Sequence, residues 1–355
     1  MIVIDKLILY SNAVGIQKVI TGLVNMERLG YLRIRDVSFK ALNVNHFYGV
    51  QYIKFYSEGQ CVFLDFEDPF EVCTIPDLVS DVTIYFKRSL QKDRVYTVPY
   101  RLYPLGTNEV VHADFEWRFF IPELKAAFDQ KNLKYFLACR VPVLSRISKI
   151  NNGVYFTNYK KLRRTTIQGK EKRILFSTRL WDPVKARDEA ERERRILLNH
   201  SRINTFIKLR ETFGDQVSGG ILTEFCPGDW VDPQYQIDRS SFNRQVYERS
   251  LAKSSIGFVS HGHHWVGFSV GEFLLNGLVP FIDSLTCELP YTLVEGQDFF
   301  TYDPADDAFL NHIKELFNRP DYLREKQVHA WNLYLQYFSP EAMCQHIFSK
   351  IMQHS

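Results

Sequence analysis

Paired cysteines, long apolar runs and net charge are all scarce in this sequence, and each scarcity removes a class of protein. The six cysteines (Cys61, Cys73, Cys139, Cys226, Cys287 and Cys344) are scattered over 355 residues without a CxxC pair. That pattern fits reduced, mostly buried thiols in a cytoplasmic compartment rather than a disulfide framework. No apolar stretch is long enough to span a membrane. The opening MIVIDKLILYSN lacks the basic start, long apolar run and cleavage site of a secretory signal, so a soluble, intracellular chain is expected. A formal charge of +3 is too small to imply a nucleic-acid partner. Neither first-strand turn shows GxGxxG, which disfavours a dehydrogenase. Internal repeats and low-complexity segments are absent.

What is present is the material of a folded core: 45% apolar and 15% aromatic residues. The length suggests two domains of ordinary size. Residues 2–10 read as a buried first strand, Asn12 and Gly15 as a turn, and 16–29 as a helix with Val19, Ile20, Leu23 and Val24 on one side. Strand-like runs follow at 31–39, 50–56 and 61–64, the last ending in the acidic cluster Asp65-Phe66-Glu67-Asp68-Pro69. Open parallel sheets place ligand contacts at strand carboxyl ends. Asp65 and Asp68 are therefore candidate site residues, although Asp68 could equally open a turn before Pro69. The strand 81–88 ends in Lys87 and Arg88, of which strand alternation would turn one inward and one outward. If 110–118 is a strand, His112, Asp114 and Glu116 share one face. Pro122 then opens a helix.

From 151 to 172 the composition turns basic and irregular, with Lys160, Lys161, Arg163, Arg164, Lys170 and Lys172, and this stretch is expected to link the domains. It could meet acidic head groups or nucleic acid, or stand solvated. A second domain, 173–335, opens with the strand RILFS and Arg179 just beyond it, placed to hold a phosphate through charge-assisted hydrogen bonds. A long charged helix spans 185–213. A strand at 256–259, a loop with His261, His263, His264 and Trp265, a helix opening near Ser269 and a strand at 279–282 come next. Helix N-termini favour anions, so this loop reads as a ligand site. His261 and His263 are too close for a pair on a helix face, and no carboxylate at zinc spacing accompanies them, so no metal is expected. His264 and Trp265 could also serve packing. Helices are expected at 239–252, 305–318, 321–337 and 340–352. Strand–helix alternation in both halves gives two Rossmann-like, doubly wound α/β domains.

The segment GFSVGEFLLNGLVPFID resembles the donor-site element of GT-B glycosyltransferases, through Gly267, Ser269, Glu272, Gly277 and Pro280. Its Glu-to-Pro spacing is most similar to the exostosin-like and fucosyltransferase-like branches. ILFSTRLWDP resembles the strand–Arg turn that opens the donor domain, and LDFEDP and IYFKRS resemble segments of bacterial cell-surface sugar transferases. The stronger likeness covers about the last half of the chain. It implies two domains facing a cleft: an acceptor domain over 1–150, a donor domain over 173–335, and a terminal helix, 336–355, packing back on the first. It implies transfer from a nucleotide-sugar, as co-substrate and without a cofactor, to a glycan or lipid-linked acceptor in surface-polysaccharide synthesis, with peripheral membrane contact at the inner face. Glu272 would hold ribose or sugar hydroxyls, the backbone of Gly267, Phe268, Ser269 and Val270 would meet phosphates, and Arg179 would neutralise the leaving group, alongside His261, His263 and His264. Asp65, His112 and Asp114 form the general-base pool, with Glu116 beside them, and Asp68, Lys87 and Arg88 face the acceptor. One common retaining pattern has an acid eight positions before the helix Glu; here that position is His264, which leaves the stereochemical course open. A catalytically silent nucleotide- or glycan-binding protein of the same fold is the rival expectation.

Overall fold

The computed structural model describes residues 1–10, 16–42, 51–67, 70–107, 111–112, 116–129, 133, 157–158, 169–224, 226, 230–238, 241–260 and 268–354. The chain divides into two compact units, one made of 1–164, 286–292 and 335–355, the other of 165–285 and 293–334. Both are mixed α/β.

The first unit is built on a seven-stranded sheet. Its strands are β1 (Ile2–Leu9), β2 (Leu32–Ile34), β3 (Val37–Phe39), β4 (Tyr52–Ser57), β5 (Gln60–Asp65), β6 (Ile84–Lys87) and β7 (Arg101–Pro104). The order is β2-β1-β4-β5-β6-β7, with β3 also beside β1. A fully parallel, doubly wound sheet is not what forms. β4 runs antiparallel to both β1 and β5. The cause is local: Glu58 and Gly59, the only residues between β4 and β5, have φ of 50° and 72°. Two consecutive positive φ values make the tight turn whose twist matches a hairpin, and glycine takes such a value without steric cost. The run at 31–39 likewise splits into β2 and β3, parted by Arg35 and Asp36.

Alternation along β4 and β5 covers both faces of this sheet. Ile53, Phe55, Val62 and Leu64 join one core with Val19, Ile20 and Leu23 of helix α1 (Gln17–Arg28). Tyr52, Phe63 and Tyr85 join another, near the short helix α2 (Pro76–Val79). A two-stranded pair, β8 (Val111–His112) with β9 (Thr157–Asn158), also forms. Helix α3 runs Trp117–Asp129 and starts five residues ahead of Pro122. Arg118 secures its first turn by donating to the Ile34 carbonyl (3.0 Å) and pairing with Glu27, so the proline falls in the second turn.

The second unit carries a six-stranded, wholly parallel sheet: β10 (Ile174–Arg179), β11 (Val217–Leu222), β12 (Gln236–Ile237), β13 (Ile256–Val259), β14 (Val279–Ile282) and β15 (Phe300–Thr301). Its order is β12-β11-β10-β13-β14-β15. The chain starts in the middle, winds outward, then returns to wind the other way. The connecting helices are α4 (Glu189–Phe213), α5 (Arg244–Lys253), α6 (Phe268–Leu275), α7 (Ala308–Asn318) and α8 (Pro320–Leu333). Asp188 caps α4 by accepting from the Glu191 amide (2.7 Å). The core centres on Phe176, Phe258 and Phe281, with Phe206 and Leu209 of α4 and Phe309 and Ile313 of α7 around them.

The last helix, α9 (Pro340–Met352), lies in the first unit and supplies Ile347, Phe348 and Ile351 to its core. Its close approach to α1 depends on Gly22, where a Cβ would overlap the Pro340 carbonyl oxygen and Cys344 Sγ. A Gly→Ala change inside a helix ordinarily stabilises by roughly 1 kcal/mol. Here the sign should reverse: Gly22→Ala should destabilise by about 1–3 kcal/mol, the cost of overpacking. Urea unfolding of the two proteins decides it, and a rise in midpoint for the alanine variant would contradict this packing.

Candidate functional site

In the second unit the strand order reverses between β10 and β13, and an α/β sheet binds ligands in the crevice outside the strand ends at such a point. Pairing between these two strands covers only Ile174↔Ile256 and Leu175↔Gly257. β10 runs on to Arg179 and β13 to Val259, so their carboxyl ends part. The guanidinium of Arg202, on α4, spans the gap. It donates to the Arg179 carbonyl on one side and to Ser260 Oγ (3.0 Å) on the other. Arg202 is 5% exposed. Burial, and then the charge of Arg179, push it down to about 10 against the opposing pull of Tyr302 and Asp283, so it stays a cation at neutral pH.

Arg202 belongs to a row. Glu191, Arg195, Asn199 and Arg202 recur at helical spacing along α4, and all but Arg195 are buried outright. Asn199 donates to the Trp181 carbonyl (2.8 Å) and accepts from the Trp181 amide (2.9 Å). Arg195 donates to the Asp182 carbonyl (2.6 Å) and pairs with Glu191 (2.6 Å). Leu180 donates to the Leu222 carbonyl (3.0 Å). Every residue from Arg179 to Asp182 therefore has its backbone held. The Arg179 side chain emerges from this turn into solvent, stacked on the Trp181 ring with Cζ 4.3 Å from its centroid. The stack is a cation–π contact.

Beyond β13, residues 261–267 lie outside those described. That range takes in His261, His263, His264, Trp265 and Gly267. Helix α6 begins at Phe268, with Ser269 half-buried and Val270 buried in its first turn. Glu272 is 8% exposed, and its Oε2 accepts from the Tyr247 hydroxyl of α5 (2.7 Å). Tyr302, fully buried after β15, donates to the Val259 carbonyl (3.4 Å), and burial raises its phenol well above the ordinary range.

In the first unit the structure brings Asp65, Lys87 and Arg88 together at the carboxyl ends of β5 and β6. Asp65 is 1% exposed. Its Oδ2 accepts from Tyr85 OH (2.5 Å) and Lys87 Nζ (2.9 Å), and its Oδ1 from the Glu67 amide (2.8 Å). Lys87 also donates to the Glu67 carbonyl (3.1 Å). Lys87 and Arg88 do not alternate in and out: both are buried, at 0% and 4%. β6 ends at Lys87, so the pleat no longer dictates where Arg88 points. Burial pushes the Arg88 guanidinium down to about 9, with Asp65, Cys287 and Glu67 pulling the other way.

Glu116 lies outside any strand, directly before α3, so the single strand expected over 110–118 is not made. His112 lies in the two-residue β8, Glu116 precedes α3 and accepts from Arg118 (3.3 Å), and Asp114, like Asp68, is outside the described residues. A groove of about 350 Å³ between β3 and α3, lined by Phe39, Trp117, Ile121 and Lys125, holds none of the expected site residues. Among the described residues no group of three His, Cys, Asp or Glu is placed to hold a metal, and no helix is long and apolar enough to cross a membrane.

No protein-family model matches the chain, and no curated protein matches it. A solved structure described as the crystal structure of the GtfA/B complex aligns with a TM-score of 0.33 and 11% identity. The alignment covers 87% of this chain, which spans 66% of that one. A likeness at this level assigns no function, which has to be argued from the residues.

The gripping row went unread in the sequence. Its signal was the recurrence of polar residues at helical spacing from Glu191 to Arg202, within a segment whose density of charge suggests a solvated face. Glu191 gives the row a pH signature. Burial raises its carboxyl, but bonds from the Arg187 amide and guanidinium and from Arg195 outweigh this and lower it from an ordinary 4.5 to about 2. Its contribution to stability should be complete above pH 4.5 and vanish as the pH falls towards 2. Glu191→Gln should therefore unfold more easily than the parent at neutral pH, with the gap closing across that window. Urea midpoints measured through the acid range provide the check, and a gap independent of pH would refute it.

Proposed function

We propose that the chain is a glycosyltransferase of GT-B type that moves a sugar from a nucleotide-sugar to a glycan or lipid-linked acceptor. The observation that carries this reading is the arrangement at the switch point of the parallel sheet. There Arg179 stands on a turn held at every residue, and across the divide α6 carries Glu272. The likeness of GFSVGEFLLNGLVPFID and ILFSTRLWDP to donor-site elements falls on these same two segments. In this reading Arg179 and the first turn of α6 face the diphosphate, a task for preorganised positive charge that needs no metal. Glu272, its carboxylate steadied by Tyr247, accepts hydroxyls of the donor. The acceptor belongs to the first unit, and an inverting course would draw its base from His112, Asp114 or Asp65. Surface-polysaccharide synthesis at the inner face of a membrane is the setting that the resemblance suggests.

A second reading, a silent nucleotide- or glycan-binding protein, is favoured by one observation. Asp65 is committed to Tyr85, Lys87 and the Glu67 amide. Buried and held by three donors, it is not open to an acceptor hydroxyl.

A thermal-shift screen of nucleotides and nucleotide-sugars tests both. A ligand at a hundred times its Kd adds about 2.7 kcal/mol to native stability, enough to raise the melting temperature by several degrees. A nucleotide-sugar should do so, and Arg179→Ala and Glu272→Ala should each weaken binding and abolish transfer. Binding without turnover on any acceptor would favour the silent protein. Indifference to the whole panel would remove the donor site.

A further inference from the structure

The buried side of α4 has a role that the proposed function does not assign. We infer that Arg202 is a positioning residue for the anion site at the switch point: it acts on the ligand through Arg179 rather than by touching it. The inference rests on the donor-site reading for the identity of the ligand, but its geometry stands apart from that reading.

Three observations lead here. First, Arg202 bridges two carboxyl ends whose strands have ceased to pair, the Arg179 carbonyl and Ser260 Oγ. A sheet holds neighbouring strands by backbone hydrogen bonds, and beyond Leu175↔Gly257 those bonds between β10 and β13 stop. The guanidinium, with donors fixed in a planar fork, takes over at the place where the crevice opens. A lysine ammonium lacks that fork. Second, the Arg202 side chain is itself steadied. Ser260 Oγ lies beside Tyr302, and the Tyr302 hydroxyl donates to the Val259 carbonyl (3.4 Å). Third, Arg179 is the only residue of the four-residue turn whose side chain is exposed, and its guanidinium lies over the Trp181 ring, whose own backbone Asn199 fixes. Displacing the Arg179 carbonyl would move the root of that side chain. An anion bound by Arg179 would therefore sense Arg202 although 95% of Arg202 is enclosed, its exposure being 5%.

A residue that acts through another has a thermodynamic signature. If Arg202 works by placing Arg179, its removal should matter only while Arg179 is present, and the two losses should not add. The experiment is a double-mutant cycle on the full chain, with binding of UDP, GDP, ADP, CDP and TDP measured by calorimetry, and of inorganic pyrophosphate as a probe without base or sugar. Arg202→Met should weaken binding about tenfold. Arg179→Ala should weaken it at least as much. The double variant should bind no worse than Arg179→Ala alone, and Arg192→Ala, on the exposed face of α4, should match the parent. Should Arg202→Met fail to fold, Arg202→Lys carries the same cycle, because it keeps the charge and loses the fork. Unchanged binding in the Arg202 variants, or losses that add in full, would overturn the inference while leaving the donor reading intact. Binding of pyrophosphate alone, with the predicted non-additivity, would sustain the inference and sink the nucleotide reading. Failure of the parent to bind any of these probes would overturn both.

Discussion

The second unit depends on a buried polar contact between a helix and a turn. α4 could have met the sheet with apolar side chains alone, as it does through Phe206 and Leu209. Instead, part of its inward face carries Glu191, Asn199 and Arg202, whose polar atoms end on main-chain groups of the turn after β10 or on side chains that reach it. Burying such groups is costly unless each finds a partner. Once they do, alternative arrangements of the turn become costly too, because any shift of Trp181 would strand both an amide and a carbonyl. A hydrogen bond, unlike an apolar contact, also depends on direction, so paired hydrogen bonds fix the turn's orientation as well as its position. Here that difference fixes the root of Arg179.

Charge is buried at the strand ends of the first unit too, but in a self-satisfied form. Lys87 and Asp65 are each about fully enclosed, 2.9 Å apart, with Tyr85 and the Glu67 backbone taking the remaining bonds. Such a pair contributes little net stability against an apolar replacement, yet breaking it would leave an uncompensated charge inside. Its effect is to pin the segment 65–67 to β6. The sequence-level expectation that these residues stand ready for an acceptor has to be weighed against that engagement. A carboxylate so enclosed, already accepting from a phenol, an ammonium and a backbone amide, is not open to an incoming hydroxyl.

Elements that announce themselves through local chemistry were legible in the chain. β1 and α1 appear within a residue of where apolar periodicity places them, and Arg179 stands at the strand end where RILFS leads. The hairpin between β4 and β5 was equally local, since Glu58-Gly59 separates two strand-like runs by two residues, but a reading fixed on strand–helix alternation passes over it. Pro122 misled for a different reason. Proline marks a first helical turn by propensity, yet the anchoring of Arg118 on Glu27 and Ile34 is tertiary and lets the helix begin earlier. Arg202 was the least legible of all. In a stretch so rich in arginine and glutamate, nothing local separates the guanidinium that is buried outright from those that stay partly or fully exposed. That choice is made by Arg179 and Ser260, 23 and 58 residues away in sequence.

The path of the chain ties the two halves in a way that their separate cores conceal. The first unit is not finished when its sheet is made, because Met343, Ile347, Phe348 and Ile351 of α9 belong to its core and Gly22 keeps the space that α9 fills. Nearly the whole of the second unit is synthesised before that helix. Contacts of such long sequence separation form late, since loop-closure entropy opposes them until much else is in place. The second unit has core contacts that reach from β10 to α7, a shorter separation than that between α1 and α9. Its sheet grows outward from β10 through successive strand–helix steps, and the row on α4 meets the turn before it after only a short connection. The turn that carries Arg179 can therefore be assembled from contacts internal to one unit, whereas the core that α9 completes needs both ends of the first.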